Sequence, residues 1–136
     1  IFMETFSALG QSDDGLLAKW RRIREIRDAI NKDIEALRAA GQVGASLQAC
    51  VTLTVAPEDH ALLASLGDDL KFVFITSTIE LIAGSALQVS AKASSDAKCE
   101  RCWHYSADVG HDAAHPTLCG RCTSNLFGSG EDRKVA

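Results

Sequence analysis

No run in this 136-residue chain approaches the roughly 20 consecutive apolar residues that a membrane-spanning helix needs. The longest apolar stretches, residues 70–75 and 79–87, are interrupted or bounded by Lys71, Thr76, Ser77, Glu80 and Ser85. The opening residues Ile1-Phe2-Met3-Glu4 lack an initiator methionine, a basic segment and a small-residue cleavage site. They read as neither a secretory precursor nor a complete translation product, so the chain is expected to be the excised end of something longer. Also missing are a phosphate-binding P-loop, G-x-S-x-G, H-E-x-x-H and G-x-G-x-x-G, and no catalytic residue is expected. The 46% of hydrophobic residues, with two prolines and no internal repeat beyond a paired cysteine spacing, excludes wholesale disorder and collagen-like order. What remains is a soluble globular piece that binds or supports.

Charge is distributed unevenly. Fourteen basic and eighteen acidic residues give a formal charge of −4, yet residues 19–38 hold seven basic side chains, Lys19, Arg21, Arg22, Arg24, Arg27, Lys32 and Arg38, against four acidic ones. Apolar residues at Leu16, Leu17, Trp20, Ile23, Ile26, Ile30, Ile34 and Leu37 recur every three or four positions, which predicts one amphipathic helix. Ser12, Asp13 or Asp14 is placed to cap its start and Gly41 to close it. Its positive residues fit either contact with a phosphate backbone or a solvated face opposite the apolar stripe.

After Gly44 the period changes to two: Leu47, Ala49, Val51, Leu53 and Val55 alternate with Gln48, Cys50, Thr52 and Thr54, which predicts a half-buried strand. Pro57 suits the first turn of a short helix ending near Gly67. Residues 70–75 fit strand or helix equally, residues 79–91 read as one or two strands broken at Gly84, and residues 92–98 as a linker. The fold class expected is α+β: a long helix within residues 1–47, a small strand–helix–strand unit over 48–95, and a four-cysteine zinc knuckle unit over 96–136.

Cys99 and Cys102 stand two residues apart, sixteen residues follow, and Cys119 and Cys122 repeat the spacing. Two such turns supply four thiolates for one tetrahedral ion, and one structural Zn²⁺ is expected with no open coordination position. Two disulfides, a thioredoxin-type redox pair and a rubredoxin-like iron site are the alternatives. From Cys99 to Ala136 there are 38 residues with few large apolar groups, so metal ligation has to supply cohesion that a core cannot. His104 is a conceivable substitute ligand, and Cys50 is expected to be a small core residue. Arg101 and Trp103 beside the first pair and Arg121 within the second form a candidate RNA-reading tip, guanidinium groups pairing with phosphate and indole stacking on a base. The opposing reading packs Trp103 beneath the knuckle and leaves the arginines solvated.

The run Lys98-Cys99-Glu100-Arg101-Cys102-Trp103-His104-Tyr105, then Asp108-Val109-Gly110, Cys119-Gly120-Arg121-Cys122 and Arg133-Lys134, closely resembles the C-terminal zinc segment of bacterial isoleucyl-tRNA synthetases. Upstream, Trp20, Ile23, Ile26, Arg27, Asn31, Lys32 and Glu35, followed by Val43-Gly44-Ala45-Ser46-Leu47-Gln48-Ala49, look like the end of that family's helical anticodon-binding domain. A similar finger closes formamidopyrimidine-DNA glycosylases, but the upstream residues resemble the synthetase alone. The resemblance implies zinc ligation by Cys99, Cys102, Cys119 and Cys122. It further implies contact of Arg101 and Trp103 with the anticodon arm of isoleucine tRNA. ATP binding, aminoacylation and editing would lie in domains absent from these residues. A cytoplasmic monomer acting on tRNA, joined to the rest of a synthetase chain and touching neither DNA nor membrane, is the expectation that follows.

Overall fold

The computed structural model describes residues 10–131. Arg133 and Lys134, quoted for the resemblance, and the opening residues lie outside that range. Helix α1 (Asp14–Ala39) begins where Asp13 accepts a hydrogen bond from the Leu16 N–H at 2.9 Å, so of three candidate caps Asp13 serves. It ends at Gly41, whose φ of +70° lets the chain turn back while its N–H donates to the Arg38 carbonyl. Ile23, Ile26, Ile30 and Ile34 are buried along one face. The first two residues of the expected stripe are not: Leu16 and Leu17 are exposed, because α1 overhangs the core by its first turn.

A 3₁₀ turn (Ser46–Gln48) leads into β1 (Ala49–Val55), whose residues alternate buried and half-buried as the period predicts. Pro57 opens α2 (Pro57–Ala64). After a second 3₁₀ turn, the undecided stretch forms a short helix, α3 (Leu70–Phe74), stopped by Ile75 in left-handed geometry. Then β2 (Thr78–Ala83) and β3 (Gln88–Ala93) give two strands where one or two were expected. The α+β class is as expected.

The sheet order is β2-β1-β3. β1 and β2 run parallel, joined by α2 and α3 as a crossover, and β3 pairs antiparallel with the other side of β1. All helices of this half cover one sheet face. Ala49, Val51, Leu53 and Val55 from β1, the four isoleucines of α1, Leu63, Leu66, Leu70 and Phe74 form one core. The expected boundary at 47/48 therefore falls between two elements whose buried side chains share that core. Cys50 corrects its expectation: it sits half-buried on the opposite, open face, paired in register with Thr78 and Lys92. The alternation of β1 dictates this, since every odd position is taken by the core.

Between β2 and β3 the chain passes over the end of β1 in residues 84–87. Gly84 donates to the Val55 carbonyl at 2.7 Å, and a Cβ there would stand 2.4 Å from Thr54 Cγ2. Thr54 is β-branched and held in a strand, so it has little room to yield. Two polar contacts fasten α1 to α2: Arg22 pairs with Asp59 through both Nε (2.9 Å) and Nη2 (2.7 Å), and Lys19 donates to Ser65 Oγ. Gly84→Ala is expected to lower stability by about 1–3 kcal/mol through overpacking, read from the denaturant midpoint. Arg22 holds the Asp59 carboxyl below its usual range while burial opposes it. Because the folded value is depressed, this pair stabilises above the ordinary carboxylate range and the gain is lost as pH falls through it. With Arg22 partly exposed the gain is about 1 kcal/mol or less, and Asp59→Asn is expected to flatten the acid limb of a stability–pH curve.

Candidate metal centre

Residues 97–106 form a small hairpin: Lys98 and Tyr105 bridge, Ser106 donates to the Ala97 carbonyl at 3.0 Å, and the Cys99 N–H donates to the His104 carbonyl at 2.9 Å. Its tip carries Cys99 and Cys102. The second pair lies at the start of α4 (Gly120–Phe127), with Cys119 as N-cap residue and Cys122 in the first turn. The four cysteine sulfurs lie within 4.8 Å of one another, so they could hold one metal ion, and Cys102 Sγ and Cys119 Sγ are 3.7 Å apart. Four sulfurs at about 2.3 Å from a central Zn²⁺ form a tetrahedron with edges of about 3.8 Å. The donor set and its spacing thus fit this ion, and 3.7 Å is nearly twice the roughly 2.05 Å of a disulfide. Cys99, Cys119 and Cys122 are buried and Cys102 is half-buried. Around them only Val109 and Leu118 pack as apolar neighbours among the described residues, so this second cluster has sulfur where a core would have hydrocarbon.

The thiols differ electrostatically. Burial opposes ionisation of Cys99, but backbone N–H groups of Cys102, Cys119 and Arg101 outweigh it and bring its pKa down to about 6. Burial pushes Cys119 up to about 12 and also raises Cys102. The Cys99 thiolate is thus ready, whereas Cys102 and Cys119 are held protonated until a cation offsets their burial.

His104 is not among the clustered donors. Its Nδ1 lies 3.2 Å from the Cys102 carbonyl, its ring meets Phe72 edge-on with centroids 5.3 Å apart, and burial, with the charges of Lys71 and Arg121, keeps its pKa low. Trp103 resolves the two readings of its side chain in favour of exposure: it is 60% accessible, its φ is +66°, and Lys98 Nζ stands 5.3 Å from the ring centre. Arg101 is exposed and reaches Cys122 Sγ at 3.7 Å. Arg121 points elsewhere, donating to Glu131 at 2.6 Å and lying 4.6 Å over the Phe72 ring. The structure therefore brings Arg101 and Trp103 to the first turn and directs Arg121 onto α3. The basic face of α1 is largely engaged within the chain: Lys19, Arg22, Arg24 and Arg38 bond to Ser65, Asp59 and Glu25, the Trp20 carbonyl, and Glu35 respectively.

Three residues at this site carried no chemistry in the sequence reading. Phe72 lies between His104 and Arg121. Ser77 donates to the Leu47 carbonyl and accepts from the Tyr105 N–H at 2.7 Å, joining three segments at one hydroxyl. Asp108 accepts from Ser106 Oγ and from the Gly120 N–H at 2.9 Å, and the Ser106 bond holds its carboxyl below the usual range. The two aromatic rings of the 70–75 run, Phe72 and Phe74, and an acid shortly before Gly110 were the available signals.

Because Cys102 and Cys119 must lose protons to ligate a metal, zinc affinity is expected to rise with pH and to fall steadily as pH drops from about 8 to 6. Chelator competition across that range, with proton release followed in a weakly buffered solution, measures it.

Residues 97–125 match the family described as "Zinc finger found in FPG and IleRS". The whole chain is 52% identical to the isoleucine–tRNA ligase of Ralstonia pickettii over 141 aligned positions, 52% to that of Bordetella pertussis over 139, and 48% to that of Thiobacillus denitrificans over 138. In each case all of this chain is covered, and it spans 15% of the relative's length. With the finger matched and four sulfurs clustered, one zinc ion is the cofactor of this centre. From end to end, the chain resembles one segment of the isoleucine–tRNA ligases and carries the zinc finger found in FPG and IleRS.

Proposed function

We propose that this chain is the C-terminal, tRNA-binding part of an isoleucine–tRNA ligase, in which Cys99, Cys102, Cys119 and Cys122 ligate one zinc ion and residues 96–136 form the zinc-binding unit. Trp103, with Arg101 and Lys98 beside it, contacts the anticodon arm of isoleucine tRNA. ATP binding and aminoacylation belong to other parts of that enzyme, which acts as a monomer in the cytoplasm. No described helix is long and apolar enough to cross a membrane.

The exposure of Trp103 carries the reading. A large indole held in left-handed backbone geometry costs on the order of 1–3 kcal/mol, and such strain concentrates at functional sites. Here the turn presents the ring outward, where a splayed base can stack on it, while Lys98 and Arg101 supply local positive charge to a unit that is otherwise acidic. Arg121, engaged with Phe72 and Glu131, serves to seat the unit rather than to reach RNA.

A second reading, in which the zinc unit clamps the chain end onto the helical part with no RNA contact, is favoured by one observation. Phe72 of α3 is held between His104 and Arg121 of the unit. Two variants separate the readings. In the full-length protein, Trp103→Ala is expected to weaken isoleucine-tRNA binding about 5- to 150-fold, the equivalent of one lost base stack, while leaving the melting temperature unchanged. Phe72→Ala is expected to lower the melting temperature while the tRNA affinity of the folded protein stays close to normal. Fluorescence anisotropy at fixed salt, against a tRNA with an altered anticodon, reads the first. Unchanged affinity in Trp103→Ala would leave the clamp as the function of the unit.

A further inference from the structure

The segment between the two cysteine pairs is tied to the second pair at a single carboxylate. Asp108 Oδ2 accepts the Gly120 N–H at 2.9 Å, and Oδ1 accepts the Ser106 hydroxyl. Gly120 is the first residue of α4, and the helix has no side-chain cap from its own N-cap residue, Cys119. The orphan amide of this first turn is therefore served by an acid twelve residues upstream, where a negative charge also suits the positive end of the helix.

Two consecutive amides are aimed in this way. The Cys119 N–H points at Cys99 Sγ, 3.4 Å away, and the Gly120 N–H points at Asp108. Turning the Gly120 amide away from the carboxylate would also turn the Cys119 carbonyl, which shares its peptide plane and accepts from the Thr123 N–H at 3.0 Å. Glycine at position 120 fits the same picture. Its φ is not positive, so backbone freedom does not demand it, but a Cβ would stand 2.8 Å from Asp108 Oδ2. The far end of the segment is pinned as well: the Gly110 N–H donates to the Leu118 carbonyl at 3.2 Å, directly before Cys119.

We propose that Asp108 is a positioning residue of the metal centre, which orients the Cys119–Gly120 peptide and thereby sets the second cysteine pair before the metal arrives. It rests on the reading of the four cysteines as ligands. Groups that orient metal ligands without touching the metal typically contribute about 10- to 100-fold in affinity.

The test uses the full chain, with zinc content measured directly and affinity by chelator competition. Asp108→Ala is expected to bind zinc about 10- to 100-fold more weakly, and its cobalt-substituted form to keep the absorption of a tetrahedral thiolate site. Asp108→Asn keeps both partners, its oxygen accepting from Gly120 and its amide donating to Ser106, and is expected to stay within about threefold of the unaltered protein. Ser106→Ala removes one anchor and is expected to fall between them, which keeps the question answerable should Asp108→Ala not fold. Affinity within about twofold of normal in Asp108→Ala or unchanged in Ser106→Ala, or Asp108→Asn as weak as Asp108→Ala, would overturn the positioning role. An unaltered protein that takes up no zinc would overturn the ligand reading instead.

Discussion

Four thiols brought within 4.8 Å of each other cannot all ionise without a cation among them, and the C-terminal third of the chain is organised around that constraint. Hydrocarbon does not replace it: Val109 and Leu118 are the apolar neighbours of this cluster, while Leu126 and Phe127 of α4 are exposed, Phe127 stacked on His115. The hairpin of residues 97–106, the segment carrying Asp108 and the first turn of α4 are short pieces with few backbone bonds of their own. The hairpin and the first turn of α4 deliver the sulfurs, and the segment between them contributes the Asp108 carboxylate that holds the Gly120 amide. Ligation and folding of this unit are consequently one equilibrium.

The larger half of the molecule is stabilised differently, by the aliphatic core that α1, α2 and α3 form on one face of the three-stranded sheet. The two halves meet at a small polar and aromatic seam. Ser77 and Phe72 provide it from one side, Tyr105, His104 and Arg121 from the other. Such a seam is directional, since a hydroxyl, a ring edge and a guanidinium each accept a narrow range of approach. It fixes the orientation of the zinc unit, and with it the direction in which Trp103 projects.

Much of this was legible from residue order. The stripe from Trp20 to Leu37 and the alternation from Ala49 to Val55 have enough length for their periods to be unambiguous, and the cysteine spacing carries its own chemistry. Residues 70–75 were not decidable, because five or six apolar residues satisfy both periods; the turns on either side make them a helix. Cys50 was misplaced although its position in the alternation pointed outward, a case of composition overriding register. Leu16 and Leu17 continue the stripe beyond the core's edge, which periodicity has no means of locating. Trp103 could not be placed because its exposure follows from a single left-handed backbone angle, and Phe72, Ser77 and Asp108 act across sequence separations that leave no local trace.

The order of strands has a consequence for synthesis. The central strand, β1, is the first to be made, and both of its edges stay unpaired until β2 and β3, some 25 to 45 residues later, have left the ribosome. During that interval α1 can shield the apolar face of the nascent strand but not its edges, where open N–H and C=O groups invite pairing with another chain. The outward-facing residues Cys50, Thr52 and Thr54 keep the other face of that strand polar and small, which makes the waiting strand a poorer template for aggregation than its buried sequence alone would be.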